Sequence, residues 1–351
     1  MRVLHAASFF NPSPGGFVPL IAALAERLRA RGDAFAFVAP RVEGASWHDA
    51  LRAAGAELHA VDGAGAAARL ARAWRPDVAH VHFYGWEPAL SAALWTARTR
   101  LFWHAHSLYG RGGAARPTLR SLAKYRLLGA RVERFVTVSR AVGDELAALG
   151  APRRRIVTVP NAVDAARFRP PSAAERAAAR RELGLAEGEP ALLFFGRDPL
   201  VKGADVLAAA LPGLPGAAVV TVATPAEAGT ALAASGNRVL ARARTDDVRP
   251  LLWAADALAV PSRGEGFGLV LLEAALTGLP VVASDLPALR EAAAGRAGVA
   301  FAPAGDAAGL GTALRAALAG GRLTPPAPDP ADSPAGWAER IVELYERGPA
   351  G

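Results

Sequence analysis

The feature that most constrains this chain is a rhythm that runs, stops and starts again. Short continuous apolar runs alternate with longer amphipathic stretches. Candidate strands in the first half are 3–7, 34–39, 78–82, 101–105, 135–138 and 156–159. Between them lie candidate helices such as 18–31, 65–74 and 141–149, the last with Ser139 placed to cap its first turn. Apolar strands without polar alternation, separated by helices, predict a parallel sheet covered on both faces. The rhythm breaks at Pro160-Asn161-Ala162-Val163-Asp164 and at Pro170-Pro171, then resumes with 191–195, 218–222, 257–260 and 281–283. The expectation is an α/β chain of two Rossmann-like domains, 1–165 and 166–334, facing each other across a cleft. In open α/β sheets, ligands sit outside the carboxyl ends of the strands. A terminal segment, 335–351, carries Trp337, Ile341, Leu344 and Tyr345 on one helical face. It reads either as a tail packed on the second domain or as a helix crossing back to the first.

Composition removes several alternatives. With 52% hydrophobic and 21% charged residues among 351, the chain has enough apolar surface for ordered cores. No apolar run reaches the roughly 18–20 residues that span a bilayer. There is no cysteine, so disulfides and thiolate metal sites are excluded. A cytoplasmic location is the expectation, since the start shows no secretory signal pattern.

The net charge of +8 is uneven. Residues 1–170 carry 24 Lys+Arg against 12 Asp+Glu, and residues 171–351 carry 16 against 20. A basic first half favours an anionic partner. Residues 111–134 concentrate this charge, with Leu119, Leu122, Tyr125 and Leu128 interleaved. They read either as a helix in peripheral contact with an anionic membrane at the inner face of the cell, or as a solvated basic helix. Nucleic acid is not an expected partner, because no aromatic platform or reading helix accompanies the charge.

The strongest chemical signal is Pro261-Ser262-Arg263-Gly264-Glu265-Gly266-Phe267-Gly268-Leu269-Val270-Leu271-Leu272-Glu273. It follows a strand and opens an apolar helix. Glu273 is the only ionisable residue between Gly266 and Ser284, and a lone carboxylate among leucines is costly to bury without polar partners. Gly266 and Gly268 leave backbone N–H groups approachable where a helix begins, a favourable place for an anion. In a continuous helix Glu265 and Glu273 would be about 12 Å apart, at roughly 1.5 Å per residue. That span matches a sugar, a diphosphate and a ribose, and each carboxylate can accept from a pair of hydroxyls. The plainer reading is a capping Glu and a helix Glu paired with a surface Arg. A second signal, Gly196-Arg197-Asp198-Pro199-Leu200-Val201-Lys202-Gly203, follows strand 191–195. Arg197 and Lys202 carry the two charges that a nucleoside diphosphate leaving group needs neutralised; alone, the pair reads equally as a solvated loop.

Taken together these motifs resemble the family 4 retaining glycosyltransferases of GT-B fold. The likeness rests on Glu265 to Glu273 (a Glu-x7-Glu signature), Gly196-Arg197 with Lys202-Gly203, Ala255-Asp256, and Gly278 to Ser284. In the first half it rests on Gly15-Gly16, Pro76 to His82, His104-Ala105-His106, Val138-Ser139 and Val159 to Asp164. The resemblance implies a donor-binding second domain and an acceptor-side first domain. It implies that Glu273 binds the ribose hydroxyls, Glu265 the transferred sugar, and Arg197 and Lys202 the diphosphate. Phe267, Gly268 and Leu269 would add backbone contacts, Gly15 and Gly16 a facing phosphate loop, and His106 a group at the reacting sugar. It implies transfer of a hexose-type sugar from a nucleoside diphosphate donor, of UDP or GDP type, with the anomeric configuration retained. The acceptor (small molecule, lipid or glycan) is left open. No Asp-x-Asp metal motif is present, so neither metal nor cofactor is expected. The usual Asn-Gly-Val-Asp is here Asn161-Ala162-Val163-Asp164, which questions the local turn if that glycine needs a positive φ.

Four histidines, His80, His82, His104 and His106, fall at the ends of two strands, each pair on one face. A metal cluster is not expected of them, because no carboxylate lies nearby. One of each pair is expected to be structural, and His106 is the functional choice by resemblance. Alternatives carried forward are a nucleotide-sugar epimerase of the same fold and a non-catalytic sugar-nucleotide binding subunit.

Overall fold

The structure is a computed structural model that describes residues 1–108, 116–196, 198–222, 232, 234–242, 245–325 and 327–347. It divides into two compact units. One comprises Met1–Ala162 with Asp329–Gly351, the other Val163–Pro328.

The first unit is built on a seven-stranded parallel sheet. Its strands are β1 (Arg2–Ala7), β2 (Ala34–Pro40), β3 (Glu57–Val61), β4 (Val78–His82), β5 (Arg100–Ala105), β6 (Val132–Thr137) and β7 (Ile156–Thr158), in spatial order 3-2-1-4-5-6-7. β1, β4 and β5 are almost wholly buried, which is why each reads as an apolar run apart from its histidines and the arginines that open β1 and β5. β3 lies at the edge and is half-exposed, so its sequence shows no such run. Ser139 caps the helix Arg140–Ala148, its Oγ accepting from the Val142 N–H at 3.2 Å.

The helix Pro334–Glu346 packs on this unit. Trp337, Ile341, Val342 and Tyr345 are buried in one core with Leu20, Ile21, Leu24 and Leu28 of the helix Phe17–Ala30. The 3.6-residue period of its apolar face is the stripe that docks there. Arg100 fastens the far end: it pairs with Glu133 and donates to the carbonyls of Tyr345 and Arg347.

The second unit holds a six-stranded parallel sheet, β8 (Ala191–Phe195), β9 (Ala218–Val222), β10 (Val239–Arg242), β11 (Ala257–Val260), β12 (Val281–Ser284) and β13 (Val299–Ala302), in order 10-9-8-11-12-13. Strand order therefore reverses between β8 and β11, which are hydrogen-bonded neighbours. Asp256, just before β11, ties the sheet to the helix Ala173–Glu182. Its carboxylate accepts from Arg176 at 2.5 Å, Arg180 at 3.3 Å and the Ala191 N–H at 2.9 Å. Ala162 does not take a positive φ; it is buried in the first core, so the missing glycine forces no strain. Among the described residues no helix is long and apolar enough to cross a membrane.

Candidate functional site

The two loops that carry the second unit's motifs leave the carboxyl ends of β8 and β11, the adjacent strands at the reversal of strand order. That is the position where open α/β sheets bind ligands. The β8 loop runs through Asp198, whose φ of 55° is left-handed, into the short helix Pro199–Lys202 and then Gly203. Arg197 lies outside the described residues. The β11 loop runs from Pro261 to Gly268, and the helix Leu269–Leu276 begins only after Gly268, at a φ of 97°. Glu265 is thus in the loop and not on the helix. The roughly 12 Å span expected for a continuous helix does not apply, because Gly268 breaks it.

The loops are fastened to each other. The Arg263 N–H donates to the Val201 carbonyl at 2.8 Å, its guanidinium reaches the Leu200 carbonyl at 2.8 Å, and it grips Asp205 at 2.7 and 2.6 Å. Gly203, at a φ of 73°, lies so close to Pro261 that a Cβ there would sit 2.0 Å from the Pro261 carbonyl oxygen. A Cβ on Gly268 would come within 2.5 Å of Leu289. Both glycines are required by close approach as well as by φ.

The result is a small charged constellation. Lys202 Nζ donates to Glu265 Oε1 at 2.5 Å, and Ser262 Oγ donates to the same oxygen at 2.8 Å. Phe267 and Gly268 are buried behind them, and Leu269 is partly exposed.

Glu273 differs. Among the described residues its carboxylate makes neither a hydrogen bond nor an ion pair. It lies within a helix otherwise lined by Leu271, Leu272, Ala274 and Ala275, and keeps only a partly exposed edge. Burial pushes its pKa from 4.5 up to about 7, against the opposing charge of Arg167. A carboxylate so placed has unspent acceptor capacity of the kind a pair of hydroxyls would satisfy.

In the first unit Gly15, at a φ of 52°, and Gly16 form the turn that opens the helix Phe17–Ala30. His106 follows β5. It is half-buried, ringed by Phe17, Phe83 and His104, with Phe83 held at a φ of 62° and its ring centroid 4.4 Å from that of His106.

Behind His106 the histidines form a connected set that sequence reasoning did not anticipate. The missed member is His5. It sits in β1 opposite His80, and β4 in turn places His82 opposite His104. His106 Nε2 meets His82 Nδ1 at 2.9 Å, His82 Nε2 meets His5 Nδ1 at 2.8 Å, and His5 Nε2 meets the Tyr345 hydroxyl at 2.7 Å. The same hydroxyl meets His80 Nδ1 at 2.5 Å. Burial lowers the pKa of His5 and His106 from 6.5 to about 3 and holds His80, His82 and His104 well below 6.5, so all five are neutral. The nitrogens of His5, His80 and His82, and those of His82, His104 and His106, lie within 4.8 Å of one another. Both His82 nitrogens are already engaged with imidazoles, and neither group includes a carboxylate. A divalent cation would bring uncompensated charge into an apolar core, which is costly.

The basic stretch is partly structural. Lys124 pairs with buried Glu87 at 2.8 Å, Arg126 donates to the Gly150 carbonyl and Arg131 to that of Ala97, while Leu119 and Leu127 are exposed. Arg111 falls within 109–115, outside the described residues.

Comparison with known proteins agrees with this architecture. A profile described as "Glycosyltransferase Family 4" matches residues 14–167, and one described as "Glycosyl transferases group 1" matches 189–320. The D-inositol 3-phosphate glycosyltransferase of Nocardia farcinica is 35% identical over 62% of this chain and 53% of its own length. The enzyme of that name from Segniliparus rotundus is 30% identical over 72% of this chain and 69% of its own. A glycogen synthase of Mycobacterium tuberculosis is 35% identical over 70% of this chain and 61% of its own. The chain thus spans about half to two thirds of the length of these curated relatives. Anabaena HepE, solved in complex with UDP and glucose, superposes with a TM-score of 0.78 at 17% identity, over 99% of this chain and 100% of that one. The chain belongs to the family 4 glycosyltransferases and has their GT-B fold.

Proposed function

We propose that the protein is a retaining glycosyltransferase that moves a hexose-type sugar from a nucleoside diphosphate sugar to a hydroxyl acceptor without a metal ion. The observation that carries this reading is Glu273. It is a carboxylate without partners among the described residues, half-buried behind a glycine-opened turn, in the same unit as the Lys202–Glu265 pair.

In this reading Glu273 accepts from the ribose hydroxyls and Glu265 from hydroxyls of the sugar. Lys202, with Arg197, neutralises the diphosphate, and backbone groups of Phe267, Gly268 and Leu269 add contacts to phosphate or sugar. Gly15, Gly16 and His106 serve the reaction from the first unit. The bond from the anomeric carbon to the phosphate oxygen breaks and a bond to the acceptor oxygen forms on the same face. The acceptor proton passes to the departing phosphate oxygen, giving a glycoside and a nucleoside diphosphate. In this reading the two cations supply the charge stabilisation that a divalent ion gives elsewhere.

The UDP and glucose named with the Anabaena structure make UDP-glucose the first donor to try. The relatives' names make a phosphorylated cyclitol and a glucan the first acceptors. Peripheral membrane contact is proposed for the exposed face of 116–134, where Leu119 and Leu127 accompany Arg116 and Arg120; flotation with anionic vesicles tests it.

The test of function is a panel of nucleoside diphosphate sugars and acceptors, with the anomeric coupling of the product read by proton NMR. Release of nucleoside diphosphate with retained configuration supports the proposal. An epimerase would change the sugar without releasing nucleotide, and a binding subunit would bind without turnover.

A further inference from the structure

We propose that Tyr345, His5 and His82 are positioning residues that form a single-file hydrogen-bond chain and fix which nitrogen of His106 carries its proton. The relevance of that proton to transfer rests on the proposed role of His106; the chain itself does not.

The argument is a count of hydrogens. A neutral imidazole has one N–H and one lone pair, and a tyrosine hydroxyl has one hydrogen. Every junction here joins two such groups: His106 Nε2 to His82 Nδ1, His82 Nε2 to His5 Nδ1, and His5 Nε2 to Tyr345 Oη, at 2.9, 2.8 and 2.7 Å. Once one proton is placed, every other is determined. Only two arrangements keep all three junctions, and in each the three imidazoles are the same tautomer.

His80 decides between them. Its Nδ1 also meets the Tyr345 oxygen, while its Nε2 is buried without a hydrogen-bond partner. If Tyr345 donated to His80, the His80 proton would sit at Nε2 as an orphaned buried donor. If His80 donates from Nδ1 to the tyrosine oxygen, only a lone pair is left bare. Orphaned buried N–H groups are the rarer case, so Tyr345 donates to His5 Nε2. It follows that His5 donates from Nδ1 to His82, His82 donates from Nδ1 to His106 Nε2, and His106 carries its proton on Nδ1. His106 therefore acts as a donor at Nδ1, a state set by a hydroxyl on the C-terminal helix and relayed through β1 and β4.

The surroundings sustain a neutral relay. His104 and His80 stack at 5.2 Å, Phe17, Phe35 and Phe102 close the sides, and Trp337 covers His104. Among the described residues, the other titratable groups that meet these side chains are His80 and His104, which are neutral for the same reason of burial, and Arg100, which is paired with Glu133 and reaches only the Tyr345 backbone carbonyl.

The test uses the full chain with 15N-labelled histidine, with ring nitrogens assigned by long-range proton–nitrogen NMR and by single-site variants. The expected result is N–H at Nδ1 and a lone pair at Nε2 for His106, His82 and His5 alike. Tyr345→Phe removes the end of the chain, and the single His106 tautomer should become a mixture. His5→Phe breaks the chain one link nearer without altering the C-terminal helix and should do the same. Where a transferred donor is in hand, both variants should lower kcat about tenfold at unchanged donor KM. Wild-type His106 protonated at Nε2, or a His106 tautomer unmoved by both variants, overturns the proposal. The tautomer readout needs no activity, so failure of the glycosyl-transfer reading would leave it standing.

Discussion

Lys202 and Glu265 come from loops on adjacent strands and are bonded to each other at 2.5 Å, with Ser262 on the same carboxylate oxygen. Cation and acid are thereby held in place before any ligand arrives, and the Arg263–Val201 hydrogen bond fixes the loops that bear them. Glu265→Gln keeps the shape of the side chain and removes its charge. Free nucleoside diphosphate should bind it within about threefold of wild type, because Lys202 is retained. Turnover should fall about a hundredfold, of the size expected when a transition-state contact is lost. Calorimetric titration with the nucleotide and initial rates with the donor separate the two effects.

Glu273 gives the protein a pH signature. Its pKa is about 7 in the fold against 4.5 for the ordinary carboxyl. Between those values the folded state holds more protons than the unfolded state, so this group's contribution to stability is fully present below about 4.5 and falls as pH rises through about 7. Glu273→Gln should therefore be more stable than wild type at pH 8, by on the order of 1–3 kcal/mol, and equal to it near pH 4.5. Nucleotide that donates ribose hydroxyls to the carboxylate favours its charged form, so wild-type affinity should rise from pH 6 to pH 8 and that of the variant should not. Urea titrations and calorimetry at the two pH values check both.

Gly203 and Gly268 are the steric keys to the loops that follow β8 and β11. Gly203→Ala would place its Cβ 2.0 Å from a backbone carbonyl oxygen, and Gly268→Ala would strike Leu289, each at a positive φ. Each should lower stability by at least about 1–2 kcal/mol, and Gly203→Ala should also abolish donor-dependent thermal protection. Thermal denaturation with and without nucleotide measures this.

Trp337 is fully buried in the first unit's core, from a segment close to the end of the described chain. Trp337→Ala should cost about 3–5 kcal/mol. The loss should appear in the first unit alone, as one of two transitions in urea followed by segment-resolved hydrogen exchange, with nucleotide protection of the second unit preserved.

Much of this was legible in the sequence, and the parts that were not have separate causes. Buried strands such as Ala191–Phe195, Ala257–Val260 and Val281–Ser284 show as apolar runs. The strands Glu57–Val61 and Val239–Arg242 do not, because each closes an edge of its sheet, stays partly exposed and carries a charged residue. Glu265, Lys202 and Glu273 stand out as charges in apolar or glycine-rich context. Glu265 and Glu273 do not share a continuous helix, because the helix starts only after Gly268, at a φ of 97°. His5 was silent. A single histidine in an apolar strand acquires meaning only through its register with His80 and through Tyr345, 340 residues away, and no local pattern carries either.

The central claim is that Lys202 and Glu273 clasp a nucleoside diphosphate sugar. Thermal shift of the wild type, Lys202→Ala and Glu273→Ala across UDP-, GDP- and ADP-sugars tests it most directly. At least one donor should raise the wild-type Tm and leave both variants where they were. If every donor leaves the wild type unmoved, or if both variants keep the full shift, the claim fails.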